Sequence, residues 1–471
     1  MSDTSSIPNA RAAALDWLFG RINYERQPLP PYPARTLKLD RMRQLLTRLG
    51  NPDVGMKIVH VAGTKGKGST SAMIAAVLTA AGYRTGLYTS PHLERMEERI
   101  AIDGTPCSEA ELVSLVERIR PHVEAFDEQL AQLGDMGPTY FEVATAMALL
   151  HFADRRAEVA VLEVGLGGRL DSTNVCLPMV SVITSISRDH TRQLGDTLAE
   201  IAGEKAGIIK PGVPVVSGVT DREPREVIAK IANLHGCRLM ELDRDFRFHD
   251  TMPNHWTLPM NSRPTGYVLD FTSTLAGEEQ QFRGVQLGLL GHHQAANAAV
   301  ALAALCELQH QGWNIPEDAI RTGLAIVRMP ARVEVFPGVP TVIVDTAHNE
   351  ASAAALVEVV EQHAPHPRLL VLAISRDKEV ADIVRILVPH FDRFLITQFV
   401  ENPRAVSVER LVELVRKELA VHGFSNRSVA ECETPVAAWQ TVLETAAPQE
   451  LVCITGSFFL AAEMRRLVKE R

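Results

Sequence analysis

The sequence spells no cysteine motif. Its six cysteines, Cys107, Cys176, Cys237, Cys306, Cys432 and Cys453, include no CxxC pair. That sets aside zinc ribbons and dithiol redox sites and leaves buried free thiols in a reducing compartment as the expectation. No leader is expected either, because the opening residues MSDTSSIPN carry neither a basic nor an apolar segment. The longest apolar run, Ala298 to Cys306, falls far short of the ~18 residues a membrane span needs. Positive charge is in deficit: 48 Lys and Arg stand against 57 Asp and Glu, a net charge of −9. An acidic chain is poorly suited to non-specific nucleic-acid binding, which runs on phosphate neutralisation. Repeats and low-complexity tracts are absent. These absences predict a cytoplasmic protein without a membrane or nucleic-acid partner.

What is present is ordinary for a globular chain: 471 residues, 46% hydrophobic and 22% charged. At roughly 150 residues per domain this gives two or three domains, each able to bury a core. Asn9 to Gly20 reads as a helix, a Pro-rich loop follows (Pro28, Pro30, Pro31, Pro33), and Leu37 to Leu49 is a second helix. Its leucines 45, 46 and 49 lie on one side, with Arg41, Arg43 and Arg48 expected off it. Lys57 to Val61, a Gly-rich loop, the helix Thr70 to Ala81 and the strand Thr85 to Tyr88 then form a βαβ unit.

Strands are expected at 159–163, 180–185 and 213–216, and helices at 141–152, 224–234 and 294–308. Residues 240–285 read as a small antiparallel excursion. A second alternating set begins near 332, with strands at 342–344, 369–373, 394–397 and 451–454 and helices at 352–363, 380–387 and 408–419. Arg328 to Ala331 is the expected joint. The fold expected is α/β, a P-loop-type, mostly parallel sheet domain over 1–328 followed by a smaller Rossmann-like α/β domain over 332–471. Ligands should sit at the C-terminal ends of the strands.

Between the first strand and its helix lies Gly63-Thr64-Lys65-Gly66-Lys67-Gly68-Ser69-Thr70. Glycines let successive amides face one anion, the helix N-terminus adds partial positive charge, Lys67 reaches the outer phosphates, and the Ser69 hydroxyl suits Mg²⁺. The strict G-x-x-x-x-G-K spacing is not met, since Val61 stands where its first glycine belongs. ATP is the expected ligand, and further cations must come from elsewhere in the chain.

From this loop onward the chain resembles the folylpolyglutamate synthase/dihydrofolate synthase family of the Mur ligase superfamily. The matching segments are Thr89-Ser90-Pro91-His92-Leu93 with Glu98-Arg99-Ile100, Phe141-Glu142, the run from Glu163 to Asn174, Asp189-His190, and Glu204 to Ile209. Further along come Gly291, His293-Gln294, Asn297, Arg332, Asp345 with Ala347-His348-Asn349, Asp377-Lys378, Pro403-Arg404-Ala405 and Thr455-Gly456-Ser457.

The resemblance implies an ATP-dependent ligase that joins L-glutamate to a folate or dihydropteroate through an acyl phosphate, with two Mg²⁺ sites and K⁺ as a further candidate cation. It implies Ser69, Ser90, Glu163, His190 and Lys205 as the metal set, Lys205 as a carbamate formed with CO₂. Phosphate-loop residues 63–70, Asn297 (against adenine), Arg332 and Asp345 (near the ribose) would serve ATP. Ser90, Pro91, His92, Phe141 and Glu142 would serve the folate, and His348 and Ser457 the glutamate. Lys67, Lys205 and His348 are the catalytic candidates. A monomer acting on small molecules is expected.

Four positions depart from the family pattern: Thr346 for glycine, Phe459 for tyrosine, Glu379 for aspartate and Lys65 for asparagine. A β-branched Thr346 would be strained if that position required positive φ. The alternatives are a cell-wall Mur ligase, which the Ser-Pro-His-Leu and Gly-Leu-Gly-Gly-Arg segments disfavour, and a nucleotide-binding regulatory protein without turnover, which the set Lys67, Glu163, His190 and Lys205 disfavours.

Overall fold

Apolar, β-branched runs become parallel strands wherever helices cover both faces of a sheet. The computed structural model describes residues 6–24, 39–251, 255–275 and 277–471. The Pro-rich loop and Leu37 lie outside them. The chain forms two units, and each has its own sheet.

In the first unit the strands are β1 (Lys57–Ala62), β2 (Thr85–Tyr88), β3 (Ile100–Ile102), β4 (Thr105–Pro106), β5 (Val159–Glu163), β6 (Val180–Ile183), β7 (Val215–Ser217) and β8 (Leu239–Glu241). They order as β4-β3-β2-β5-β1-β6-β7-β8. The run from β2 to β8 is parallel, and β3 and β4 add an antiparallel edge. Every residue of β5 and β6 is buried. From β1 the chain goes on to β2 and from β6 to β7, on opposite sides of the sheet. Neighbouring strands β1 and β6 therefore mark a topological switch point, where ligands of open α/β sheets bind.

Three further strands, β9 (Phe246–Thr251), β10 (Val268–Leu275) and β11 (Glu278–Gln286), make a separate sheet in the order β11-β10-β9, within the segment read as an excursion. In the second unit β12 (Glu334–Phe336), β13 (Thr341–Val344), β14 (Arg368–Leu372), β15 (Arg393–Ile396), β16 (Ser428–Glu431) and β17 (Leu451–Thr455) order as β12-β13-β17-β14-β15-β16. Only β12 runs antiparallel.

Two expectations need correction. The contiguous domain 1–328 does not hold: residues 250–269, 284–295 and 327–471 together form the second unit. Burial explains why. Trp256 and Leu290 belong to the core around Ile343, Leu370 and Phe394, Trp256 stacks on His363, and the Tyr267 hydroxyl donates to Gln362. Arg41 is also not on a solvated face. In the helix Leu39–Arg48 it is buried with Leu45, one turn away on the same side.

Helix starts follow local chemistry. Ser108 with Glu111, Thr139 with Glu142 and Thr197 with Glu200 form capping boxes on the helices Glu109–Gln132, Tyr140–Asp154 and Leu198–Ala206. The first of these helices is a 24-residue element absent from the sequence reading. No described helix is long and apolar enough to cross a membrane.

Candidate active site

The loop after β1 needs glycine at two places. Gly63 has φ 150° and Gly66 has φ 83°. A Cβ on Gly63 would collide with the Thr184 hydroxyl, and one on Gly66 with the Asn297 carboxamide. Asn297 thus stands over the phosphate loop from the helix His292–His310. The loop leaving β6 braces the other side. Thr64 N donates to Ser185 O (2.7 Å), Lys65 N to Ser185 Oγ (3.0 Å), and Thr184 Oγ1 to Lys65 O (2.6 Å). Lys67 opens the helix Lys67–Ala80, which places Ser69 and Thr70 in its first turn.

Two lysines converge on one carbonyl. Lys67 Nζ donates to Gly63 O (3.1 Å) and Thr64 O (3.3 Å), and Lys205 Nζ donates to Gly63 O (2.8 Å). Lys205 is only 4% exposed. Burial above all, then Lys67, lowers its pKa to about 7 against the pull of Asp189, and Lys65 adds to the depression. The segment Gly165–Asn174 clamps its helix. Arg169 N donates to Glu204 O (2.8 Å), and Asn174 Nδ2 donates to the carbonyls of Arg169 and Gly207 (both 3.0 Å). A Cβ on Gly168 would lie 2.9 Å from the carbonyl oxygens of Glu204 and Lys205. Asp171 ties that segment together by accepting from the amides of Gly165, Leu166 and Thr173.

Glu163 ends β5, buried, and its Oε2 accepts from Ser90 N (3.0 Å). Lys65 Nζ donates to Asp189 Oδ2 (2.7 Å), which links the phosphate loop to the turn bearing His190. His190 is exposed and left-handed, with φ 51°. Among the described residues no three His, Cys, Asp or Glu side chains come together as a metal cage. Buried Glu163 and the hydroxyls of Ser69 and Ser90 are hard oxygen donors, the kind Mg²⁺ takes beside waters and phosphate oxygens.

The Ser90–Arg99 segment is pinned from within. The Glu98 carboxylate accepts from the amides of Leu93 (2.8 Å), Glu94 (3.1 Å) and Arg95 (2.9 Å). Buried Arg99 donates from Nε to His92 Nδ1 (2.7 Å) and lies over the Tyr140 ring. Nδ1 of His92 must therefore accept, so neutral His92 carries its proton on Nε2. Pro91 beside it is exposed. The Phe141 ring packs near Tyr88 and against Gly165.

Glu142 requires correction as a folate ligand. Its carboxylate accepts from Arg41 Nη2 (2.8 Å), Thr139 N (2.7 Å) and Thr139 Oγ1 (2.8 Å). A carboxylate buried this deeply must be paired, and Glu142 is committed to a helix cap and an ion pair.

In the second unit Asp345 and His348 follow β13, and Ser457 follows the adjacent β17. Buried Asp345 accepts from Val333 N (2.9 Å) and Ala347 N (2.7 Å), and burial raises its pKa. His348 Nδ1 donates to Thr346 O (2.8 Å), which leaves Nε2 as the basic nitrogen of the neutral ring. Arg332 Nη1 donates to Thr346 Oγ1 (2.6 Å) and its guanidinium lies over Phe458. Ser457 Oγ caps the helix Phe458–Lys469 by accepting from Phe459 N and Leu460 N, and its hydroxyl proton can still be donated. His293 and Gln294 sit in the first turn of their helix, and burial lowers the His293 pKa to about 4.

Sequence reasoning gave no role to Glu98, Asp171, Thr184 or Ser185. A carboxylate or hydroxyl that serves backbone amides leaves no mark in the sequence beyond lying just past a strand or in a loop.

The Mur ligase middle domain matches residues 61–305, and the Mur ligase glutamate ligase domain matches residues 331–458. A dihydrofolate synthase/folylpolyglutamate synthase of Bacillus subtilis is 35% identical, over 97% of this chain and 98% of the relative. The folylpolyglutamate synthase of Mycobacterium tuberculosis, solved in complex with ADP and AMPPCP, superposes with a TM-score of 0.82 at 33% identity, covering 98% of this chain and 99% of that one. That of Thermotoga maritima gives 0.81 at 32% identity, with 98% and 97% coverage.

Proposed function

The chain belongs to the folylpolyglutamate synthase/dihydrofolate synthase family of ATP-dependent Mur-type ligases, and from that premise we propose a division of labour among its residues. It joins the amine of L-glutamate to the carboxylate of dihydropteroate or a folate, with ATP as the activating substrate. The observation that carries the reading is the shared Gly63 carbonyl, which draws Lys67 and the buried Lys205 to the mouth of the phosphate loop.

A carboxylate is a poor electrophile. In the first step its oxygen bonds to the γ-phosphorus while the bond to the β-phosphate oxygen breaks, giving an acyl phosphate and ADP. Such transfer is governed by positioning and charge neutralisation. Loop amides from residues 63–70 cradle the phosphates, and Lys67 exchanges its carbonyl partners for a phosphate oxygen. Arg332 adds a cation, while Asn297 and Asp345 serve the nucleoside. In the second step the glutamate nitrogen attacks the acyl carbon and phosphate leaves. His348 Nε2 takes the amine proton. The Ser457 hydroxyl and its helix N-terminus suit a glutamate carboxylate.

Lys205 is the carbamate candidate. Its depressed pKa gives a neutral amine near neutral pH, which can bond to CO₂ and release a proton. The carbamate nitrogen keeps one N–H and so can keep the bond to Gly63 O. Ser69, Ser90, Glu163, His190 and carbamylated Lys205 would hold Mg²⁺, which when bound supplies charge stabilisation at phosphate oxygens. His92 offers an Nε2–H donor and Phe141 an aromatic face to the pterin. The expected context is a cytoplasmic monomer working on small molecules.

The deciding experiment incubates the protein with ATP, Mg²⁺ and glutamate, offers dihydropteroate or tetrahydrofolate separately, and weighs the products. A mass gain of one glutamyl residue with matching ADP is expected. ADP release without any mass gain would contradict the reading.

A further inference from the structure

Thr346, which would be strained only at positive φ, is not at positive φ; Ala331 (φ 50°) and Val333 (φ 45°), on either side of Arg332, are. A β-branched residue in the left-handed region persists only where its surroundings over-determine it, and such sites gather where a neighbouring side chain must be aimed. Here the surroundings are plain. Ala331 N donates to Glu334 Oε2 (2.8 Å), and Arg465 holds Glu334 in turn. Val333 N donates to Asp345 Oδ2 (2.9 Å), and Ala331 O accepts from Thr346 N (3.1 Å).

We propose that Thr346 is a positioning residue for Arg332, closing this strained clamp so that the guanidinium is oriented before the nucleotide arrives. All three polar atoms of Thr346 are engaged, at 1% exposure. Its N–H holds the backbone beside Arg332, its hydroxyl accepts from Nη1 (2.6 Å), and its carbonyl fixes the His348 tautomer (2.8 Å). Phe458 covers one face of the guanidinium at 5.1 Å. Of the five N–H donors of an arginine side chain, the clamp uses one and leaves a flat, directed fork for an anion. Glycine at 346 could supply the amide and the carbonyl but not the hydroxyl.

The inference rests on Arg332 serving ATP, and the test separates the two. Thr346→Val keeps the buried shape and removes the hydroxyl. It should raise the KM for ATP roughly tenfold, as for loss of a hydrogen bond to a charged group, with kcat and the unfolding midpoint little changed. Thr346→Ser should restore the KM. In the double variant with Arg332→Ala, the valine should add nothing to the loss caused by alanine. An unchanged KM in Thr346→Val, or full additivity, would overturn the inference alone. An unchanged KM in Arg332→Ala would overturn the Arg332 reading and the inference with it. Thr346→Ala repeats the comparison if the valine variant fails to fold.

Discussion

If Lys205 takes up CO₂ as a neutral amine, the rate of uptake must track its neutral fraction. With a pKa of about 7, that fraction is about 9% near pH 6 and about 91% near pH 8, so the initial rate at fixed dissolved CO₂ should rise about tenfold and then level off. An exposed lysine behaves differently. With a pKa near 10.4 it would be roughly two-hundredfold slower near pH 8 and would keep gaining about tenfold per pH unit.

The assay is ¹³C NMR of the protein mixed with ¹³CO₂, following the carbamate resonance over time with Lys205→Ala as the blank. A rate still climbing tenfold per unit through about pH 9, or a signal that survives Lys205→Ala, would refute the reasoning. The same depression acts on stability. A lysine of pKa 10.5 in the unfolded chain and about 7 in the folded one binds its proton first in the unfolded state. Its contribution is therefore fully present above the unfolded value, lost progressively as pH falls from 10.5 to about 7, and constant below.

Three further outcomes follow from the geometry. Lys67→Ala should abolish substrate-dependent phosphate release, since the loop would lose its cation at Gly63 and Thr64; retained release in a coupled assay would contradict the loop's role. Arg41→Met should cost about 3–5 kcal/mol in urea unfolding because it strands the Glu142 carboxylate at 5% side-chain exposure, and pairing it with Glu142→Leu should recover most of that loss. Glu98→Ala frees three amides of the Leu93–Arg95 turn; steady-state kinetics should show a raised KM for the pterin substrate and an unaltered KM for ATP.

Parallel strands were the legible part of this fold. Val159–Leu162 is apolar throughout because both faces of β5 are covered, and the strand closes one residue later on buried Glu163. The phosphate loop was legible because glycines, a lysine and a hydroxyl had to stand between a strand and a helix. Ser108 and Glu111 mark the start of the helix Glu109–Gln132, and Leu112, Leu115, Val116 and Ile119 follow at helical spacing, so the signal for this helix lies in the sequence. Arg41 was illegible: its partner lies 101 residues away, and an arginine on an amphipathic helix reads as solvated until Glu142 is placed beside it. The return of Trp256 and Leu290 to the second core has no local marker either, since a core is defined by contacts that sequence order does not record. The Lys205 environment likewise exists only after Gly168 and Gly207 have let two segments close on each other.

The central claim is that the acceptor carboxylate is itself phosphorylated. Dihydropteroate labelled with ¹⁸O in its carboxylate tests this directly in a single incubation with ATP, Mg²⁺ and glutamate. Passage through an acyl phosphate leaves one labelled oxygen in the new amide and carries the other into the released phosphate, which should gain one ¹⁸O per turnover. Phosphate released without label, alongside amide formation, would contradict the account.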